Sequence, residues 1–186
     1  MNIKPLIAIS AIAAISACAS AQQSSSSSPG IAVSAGIYLP SSAQIRNDLG
    51  NQGLQFGLGG SANGRPSDGS ITPQYTLIID NGKGNQLFIL PFTYGYEYHF
   101  GAETDASMLP YIRPFLGVAF FDYSITDFAS GQHTGVKQLG GTYGLEAGIL
   151  FGTKIKLSAA YNYFTQSSGF SFNGLTLAAT YTLFNL

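Results

Sequence analysis

Between Thr142 and Phe164 the chain alternates with a period of two on both sides of a short turn at Gly152–Lys154. One set of alternate residues is Tyr143, Leu145, Ala147, Ile149 and Phe151, continued by Ile155, Leu157, Ala159, Tyr161 and Tyr163. The other is Thr142, Gly144, Glu146, Gly148 and Leu150, continued by Lys156, Ser158, Ala160 and Asn162. A period of two means extended strands, because successive side chains point to opposite faces of a sheet. A three-residue turn sets Phe151 opposite Ile155 and Glu146 opposite Ala160, which gathers the bulky apolar side chains on one face. The other face is mostly Gly, Ser, Thr, Ala and Asn, whereas a soluble sheet shows water mainly long charged side chains. Small residues suit the crowded lumen of a closed eight-strand barrel. The apolar face then looks outward, into lipid.

Charge supports that inversion. Charged residues make up 9% of the chain, against about 25% in an average soluble domain. A net charge of −1 leaves no basic field to attract nucleic acid. Beyond the N-terminal segment no apolar run approaches the roughly 18 residues of a membrane-spanning helix, so any membrane crossing must be made by strands.

The N-terminal segment carries Lys4, an apolar stretch from Leu6 to Ile15, and then small residues, the pattern of an export signal. Ala19–Ser20–Ala21 predicts cleavage before Gln22, giving a signal peptide over residues 1–21. Ile15–Ser16–Ala17–Cys18 offers a competing lipoprotein signal over 1–17, with Cys18 as the lipidated residue. Cys18 is the chain's one cysteine, which excludes disulfides. Residues 22–30 form a Ser-rich linker with nothing to pack.

The remainder, 31–186, reads as a single barrel domain of eight strands: 31–39, 53–62, 71–80, 86–100, 110–123, 136–151, 155–164 and 172–184. Segments 41–52, 63–70, 101–109, 124–135 and 165–171 read as polar loops or turns, and Asn81–Asn85 as a tight hairpin. The fourth strand is the most lopsided. Phe88, Leu90, Phe92, Tyr94, Tyr96, Tyr98 and Phe100 share one side, which water alone does not tolerate. The fold class is therefore all-β: an eight-stranded antiparallel up-and-down transmembrane β-barrel. With both termini periplasmic, loops 41–52, 81–85, 124–135 and 165–171 face outside.

The stretches Arg113-Pro-Phe-Leu-Gly-Val-Ala-Phe-Phe, Gly144-Leu-Glu-Ala-Gly, Leu157-Ser-Ala-Ala-Tyr-Asn-Tyr and the terminal Leu175–Phe184 strand resemble the small outer-membrane β-barrel proteins of the OmpA/OmpX/OmpW type. The chain departs from their pattern in lacking Trp, in having Ala178 where the last strand usually carries Gly, and in ending Phe184-Asn-Leu186. The resemblance implies a bacterial outer-membrane location and insertion by a barrel-assembly machinery. It also implies outer-membrane lipid as the surrounding partner, and a monomer.

Glu97, Arg113, Glu146 and Lys156 fall on the predicted lumen face. Arg113 is placed to sit between the two carboxylates of the neighbouring strands, with Lys156 a more distant partner. Such a cluster offsets the desolvation of buried charge. Its bland reading is a salt-bridge plug; its functional reading is a gate or ion path. His99 and His133 are expected near opposite ends of the barrel, too far apart for a shared metal, and no cofactor is expected. His133-Thr134-Gly135 lacks the His-x-Ser pattern of the lipid A deacylases, so the expectation is a protein that is not an enzyme. The leading function is a structural or surface-interaction role with a lumen filled by side chains. Behind it stand a narrow small-solute pore, a lipid-modifying enzyme, and a soluble lipid-tethered barrel binding an apolar ligand.

Overall fold

Antiparallel hairpins with one apolar face leave two problems, unpaired edges and exposed grease, and closure into a ring removes the first. The computed structural model, which describes residues 30–61, 69–101 and 107–185, shows that closure. Its strands are β1 (Gly30–Pro40), β2 (Gly53–Ser61), β3 (Ser70–Gly82), β4 (Asn85–His99), β5 (Met108–Thr126), β6 (His133–Phe151), β7 (Ile155–Phe164) and β8 (Gly174–Asn185). They form one closed barrel in sequence order, every pair antiparallel, with β1 sealed against β8. Phe151 lies opposite Ile155 and Glu146 opposite Ala160, the predicted register. Segments 1–29, including the export signal, Cys18 and most of the Ser-rich stretch, lie outside the described residues.

The apolar face is outside. Tyr143, Ile149, Leu157 and Tyr181 are all exposed, and Leu116 is 71% exposed. Outward tyrosines gather at two levels. Tyr94, Tyr96, Tyr98 and Tyr181 lie toward the end where β1 begins and β8 finishes. Tyr143 and Tyr163 stack with centroids 5.0 Å apart toward the opposite end. Amphipathic rings in two belts are what a bilayer's two interfaces select.

Several boundaries differ from the sequence reading. The β5–β6 hairpin is longer than expected: Ser124, Ile125 and Thr126 pair with Gly135, Thr134 and His133, leaving only 127–132 as loop. At the β3–β4 hairpin the turn contracts to Lys83 and Gly84, both at positive φ (53° and 82°), as a two-residue turn matching strand twist requires. Phe172, expected in the last strand, stands before it. The loop expected at 41–52 contains a short helix, α1 (Ala43–Asp48), capped by Ser42. The signal was present in Ser42 followed by Ile45 and Leu49, an N-cap with apolar residues four apart.

The inward face, expected to be mostly small and polar, is apolar at one end. At the end opposite the start of β1, Tyr38, Ile78, Leu87, Ile89, Phe121, Tyr123 and Phe164 point inward and pack against Ile45 and Leu49 of the α1 segment and against Phe170 and Phe172. The 165–173 loop folds into this mouth, its tip closed by a Ser167–Phe170 bridge. The Tyr38 hydroxyl donates to the Phe172 carbonyl, and Tyr123 Oη donates to the Ser167 carbonyl at 2.9 Å. Where a barrel end is covered by its own loops, apolar side chains gain from leaving water whichever face carries them.

Candidate functional site

Below the apolar mouth the lumen turns polar, and the charged residues named from the sequence all lie there. Arg113, on β5, is the best anchored. Its guanidinium passes over β4 at Gly95, where any Cβ would meet Arg113 Nε at 2.4 Å. Reaching β3, Nε donates to Thr72 Oγ1 (2.9 Å), Nη2 to the Thr72 carbonyl (3.1 Å) and Nη1 to Gln74 Oε1 (2.9 Å). On the other side Nη1 lies 3.4 Å from Glu146 Oε2, its cross-strand neighbour on β6. The Phe115 ring centroid is 5.5 Å from the guanidinium carbon. A buried planar cation with several acceptors in the plane of its donors is the favourable geometry for arginine.

The expected Glu97–Arg113–Glu146 sandwich does not form. Glu97 pairs instead with Lys156 of β7, the residue expected to be more distant. The physical reason is curvature. In a narrow closed barrel, strands several positions apart face each other across the lumen, and a lysine stem spans that chord. Both partners are buried. Lys156 Nζ also sits 5.2 Å from the centroid of Tyr111, a cation–π distance. The Tyr111 hydroxyl donates to Glu146 Oε1 at 2.6 Å, so Tyr111 links the two ion pairs. Tyr111, Thr72, Gln74 and Gly95 escaped the sequence reading. Their alternation marked them as lumen residues, but nothing local marked them as partners of charges elsewhere.

His99, buried at the end of β4, places Nε2 3.1 Å from Glu97 Oε1, off the line of a hydrogen bond. His133 lies at the start of β6, its Nδ1 3.1 Å from Thr126 Oγ1. The two imidazoles stand at opposite ends of the barrel. Among the described residues no group of three or more His, Cys, Asp or Glu could hold a metal.

Two cavities of about 30 Å³ each adjoin the cluster and share Gln74, Glu146 and Thr180 in their linings. Ser34 Oγ and Gln55 Oε1, buried without a hydrogen-bond partner among the described residues, belong to residues that line them. Polar voids of that size take one or two waters.

No protein-family profile matches this chain, and no curated protein matches its sequence. Solved structures do match. Neisserial surface protein A is 16% identical, with a TM-score of 0.57, over 83% of this chain and 96% of that one. Ail, the attachment invasion locus protein of Yersinia pestis, is 14% identical at a TM-score of 0.55, over 84% and 99% of the two chains. The N-terminal β-barrel domain of Pseudomonas aeruginosa OprF is 12% identical at 0.51, over 84% and 98%. Closed eight-strand topology, outward apolar side chains and these alignments agree: the chain has the fold of the small eight-stranded outer-membrane β-barrel proteins.

Proposed function

We propose that this protein resides in a bacterial outer membrane as a monomeric barrel with a structural or surface-interaction role, its lumen closed by its own side chains. The observation that carries the reading is the outward apolar surface bounded by two levels of tyrosine, with buried charge confined to the inside. Closure is supported by the aromatic packing at one mouth and by the paired charges below it. A lumen occupied in this way binds and transports nothing bulky, which leaves the loops as the part that meets the surroundings. The surrounding lipid is then its principal partner, and a barrel-assembly machinery inserts it. The reading assigns it no catalytic turnover.

Membrane fractionation of the full-length chain and of Cys18→Ala, with electrophoresis before and after boiling, tests this. The expected result is a membrane-borne protein whose mobility shifts on heating, in both forms. Recovery in the aqueous phase once any acyl chain is removed points instead to a soluble tethered barrel. A narrow pore is the second reading, favoured by the two adjoining cavities. Planar bilayers decide between them: the closed barrel is silent, and a pore gives steps of conductance. Turnover of labelled lipid A would contradict the non-enzymatic reading.

A further inference from the structure

The apolar mouth encloses two carboxylates that its packing does not use. Asp80 on β3 is 5% exposed, and Asp48, the last residue of α1, is 2% exposed. Asp48 Oδ1 accepts from the Phe128 N–H at 3.3 Å. Oδ2 of each residue is buried with no hydrogen-bond partner among the described residues. An ionised carboxylate buried without a partner is costly, so such a group takes up either a proton or a cation.

The donors of the surrounding segments are committed to carbonyls instead. Tyr38 pairs with Gly53 across the β1–β2 seam, and Gly53 lies against Asp80, where a Cβ would meet the Asp80 Cβ at 3.1 Å. Tyr38 and Asp80 thus flank a gap that only a glycine leaves, and Tyr38 lies within electrostatic reach of Asp80. Its hydroxyl nonetheless donates to the Phe172 carbonyl. Arg46 donates to the Pro40 and Ser41 carbonyls at 2.9 and 2.7 Å, and Lys83 to the Asn47 carbonyl. The turn between α1 and β2 closes the gap from the other side: a Cβ on Gly50 would lie 3.9 Å from Asp80 Oδ1. Two glycines therefore bring main chain against one unpaired carboxylate, and Asn51 and Gln52 of the same turn are exposed beside it.

We propose that Asp80 and the Gly50–Gly53 turn form a binding site for a hard divalent cation of the calcium type, with Asp48 adding negative charge beside it. Carboxylate, side-chain amide and main-chain carbonyl oxygens are the ligands such an ion takes, in a geometry loose enough for a turn to supply. Mg²⁺ fits less well, because it demands a near-octahedral set and gives up its waters reluctantly. With so few carboxylates, affinity is expected in the range of about 10⁻⁴–10⁻³ M found for weak calcium modules. The bound ion ties α1, through the turn that follows it, to the β3 wall. It thereby holds the cover of the mouth in place. The site goes beyond the structural role proposed above and is tested separately from it.

The test uses the full chain in nanodiscs of zwitterionic phosphatidylcholine, with Tb³⁺ as the probe and Ca²⁺ as its competitor. Tyr38, beside the site, serves as the antenna for terbium emission. Saturable tyrosine-sensitised emission is expected, displaced by Ca²⁺ and at least tenfold less readily by Mg²⁺. Asp80→Asn should weaken Tb³⁺ binding at least tenfold, and Asp48→Asn by a smaller factor. Asp122→Asn, which alters a carboxylate paired with Lys137 on the outer face of β5, should leave it unchanged. Amide exchange at Gly50 should slow when Ca²⁺ is added to the parent, and that measurement decides alone if Asp80→Asn does not insert. Equal affinity for Asp80→Asn and the parent overturns the proposal, since it means adventitious binding at exposed carboxylates only. A parent that inserts and shifts on heating yet takes up neither ion at millimolar concentration also overturns it: Asp80 then keeps a proton, and the membrane reading still stands.

Discussion

The guanidinium of Arg113 occupies the space that a side chain on Gly95 would fill, with Nε 2.4 Å from the position of a Cβ there. That overlap lets one residue on β5 bond to Thr72 on β3 across the intervening strand. Gly95→Ala is expected to push the guanidinium off β4 and break both Thr72 contacts. Charge-assisted hydrogen bonds contribute about 1.5–3 kcal/mol each when lost, so a destabilisation of about 2 kcal/mol or more is expected in urea unfolding from lipid vesicles. A substitution that costs no more than an exposed glycine change would show that Arg113 has another resting place.

Glu97 and Lys156 should behave as one unit. Lys156→Met alone leaves the buried Glu97 carboxylate without its lysine, and breaking a buried pair costs about 3–5 kcal/mol. Adding Glu97→Gln should restore part of that loss. A double-mutant cycle reads the coupling, and additivity within about 0.5 kcal/mol would mean the pair contributes nothing jointly.

Phe172 is fully buried in the mouth, its centroid 5.0 Å from Tyr123 and 5.7 Å from Phe121. Phe172→Ala is expected to cost about 3–5 kcal/mol through lost contacts and the cavity left behind. If this packing also closes the lumen, the variant should leak small ions in planar bilayers where the parent is silent. Unchanged stability together with unchanged silence would count against both roles.

Strong acid should loosen the 127–132 loop. The Asp127 carboxylate accepts from the Ala129 N–H at 2.9 Å and from the Ser130 hydroxyl at 2.8 Å, and these bonds hold its pKa below the ordinary aspartate range. A carboxyl depressed on folding contributes order above its unfolded pKa and loses it as pH falls through the folded one. The Ala129 amide should therefore exchange faster only at strongly acidic pH, and Asp127→Asn should remove that step. A transition near neutrality would refute the assignment.

Much of the fold was legible in single strands. The alternation of Tyr143 through Tyr163 predicted both the β6–β7 register and the face that turns outward, because side-chain direction in a strand is a local property. The candidate charges were legible as lumen residues for the same reason. Their partners were not. Whether Glu97 meets Arg113 beside it or Lys156 across the lumen depends on barrel radius, strand tilt and how far each seam is staggered.

The amino-acid sequence by itself thus determined an eight-strand barrel with its oily side outward, since a two-residue period and small inward residues are consistent with little else. Tertiary structure alone decided the chord pairing of Glu97 with Lys156, the apolar mouth built by Phe170 and Phe172, and how far β6 runs past its pairing with β7. Each of these is a relation between segments far apart in the chain. Such relations come into being only when the ring closes, and no periodicity within one strand encodes them.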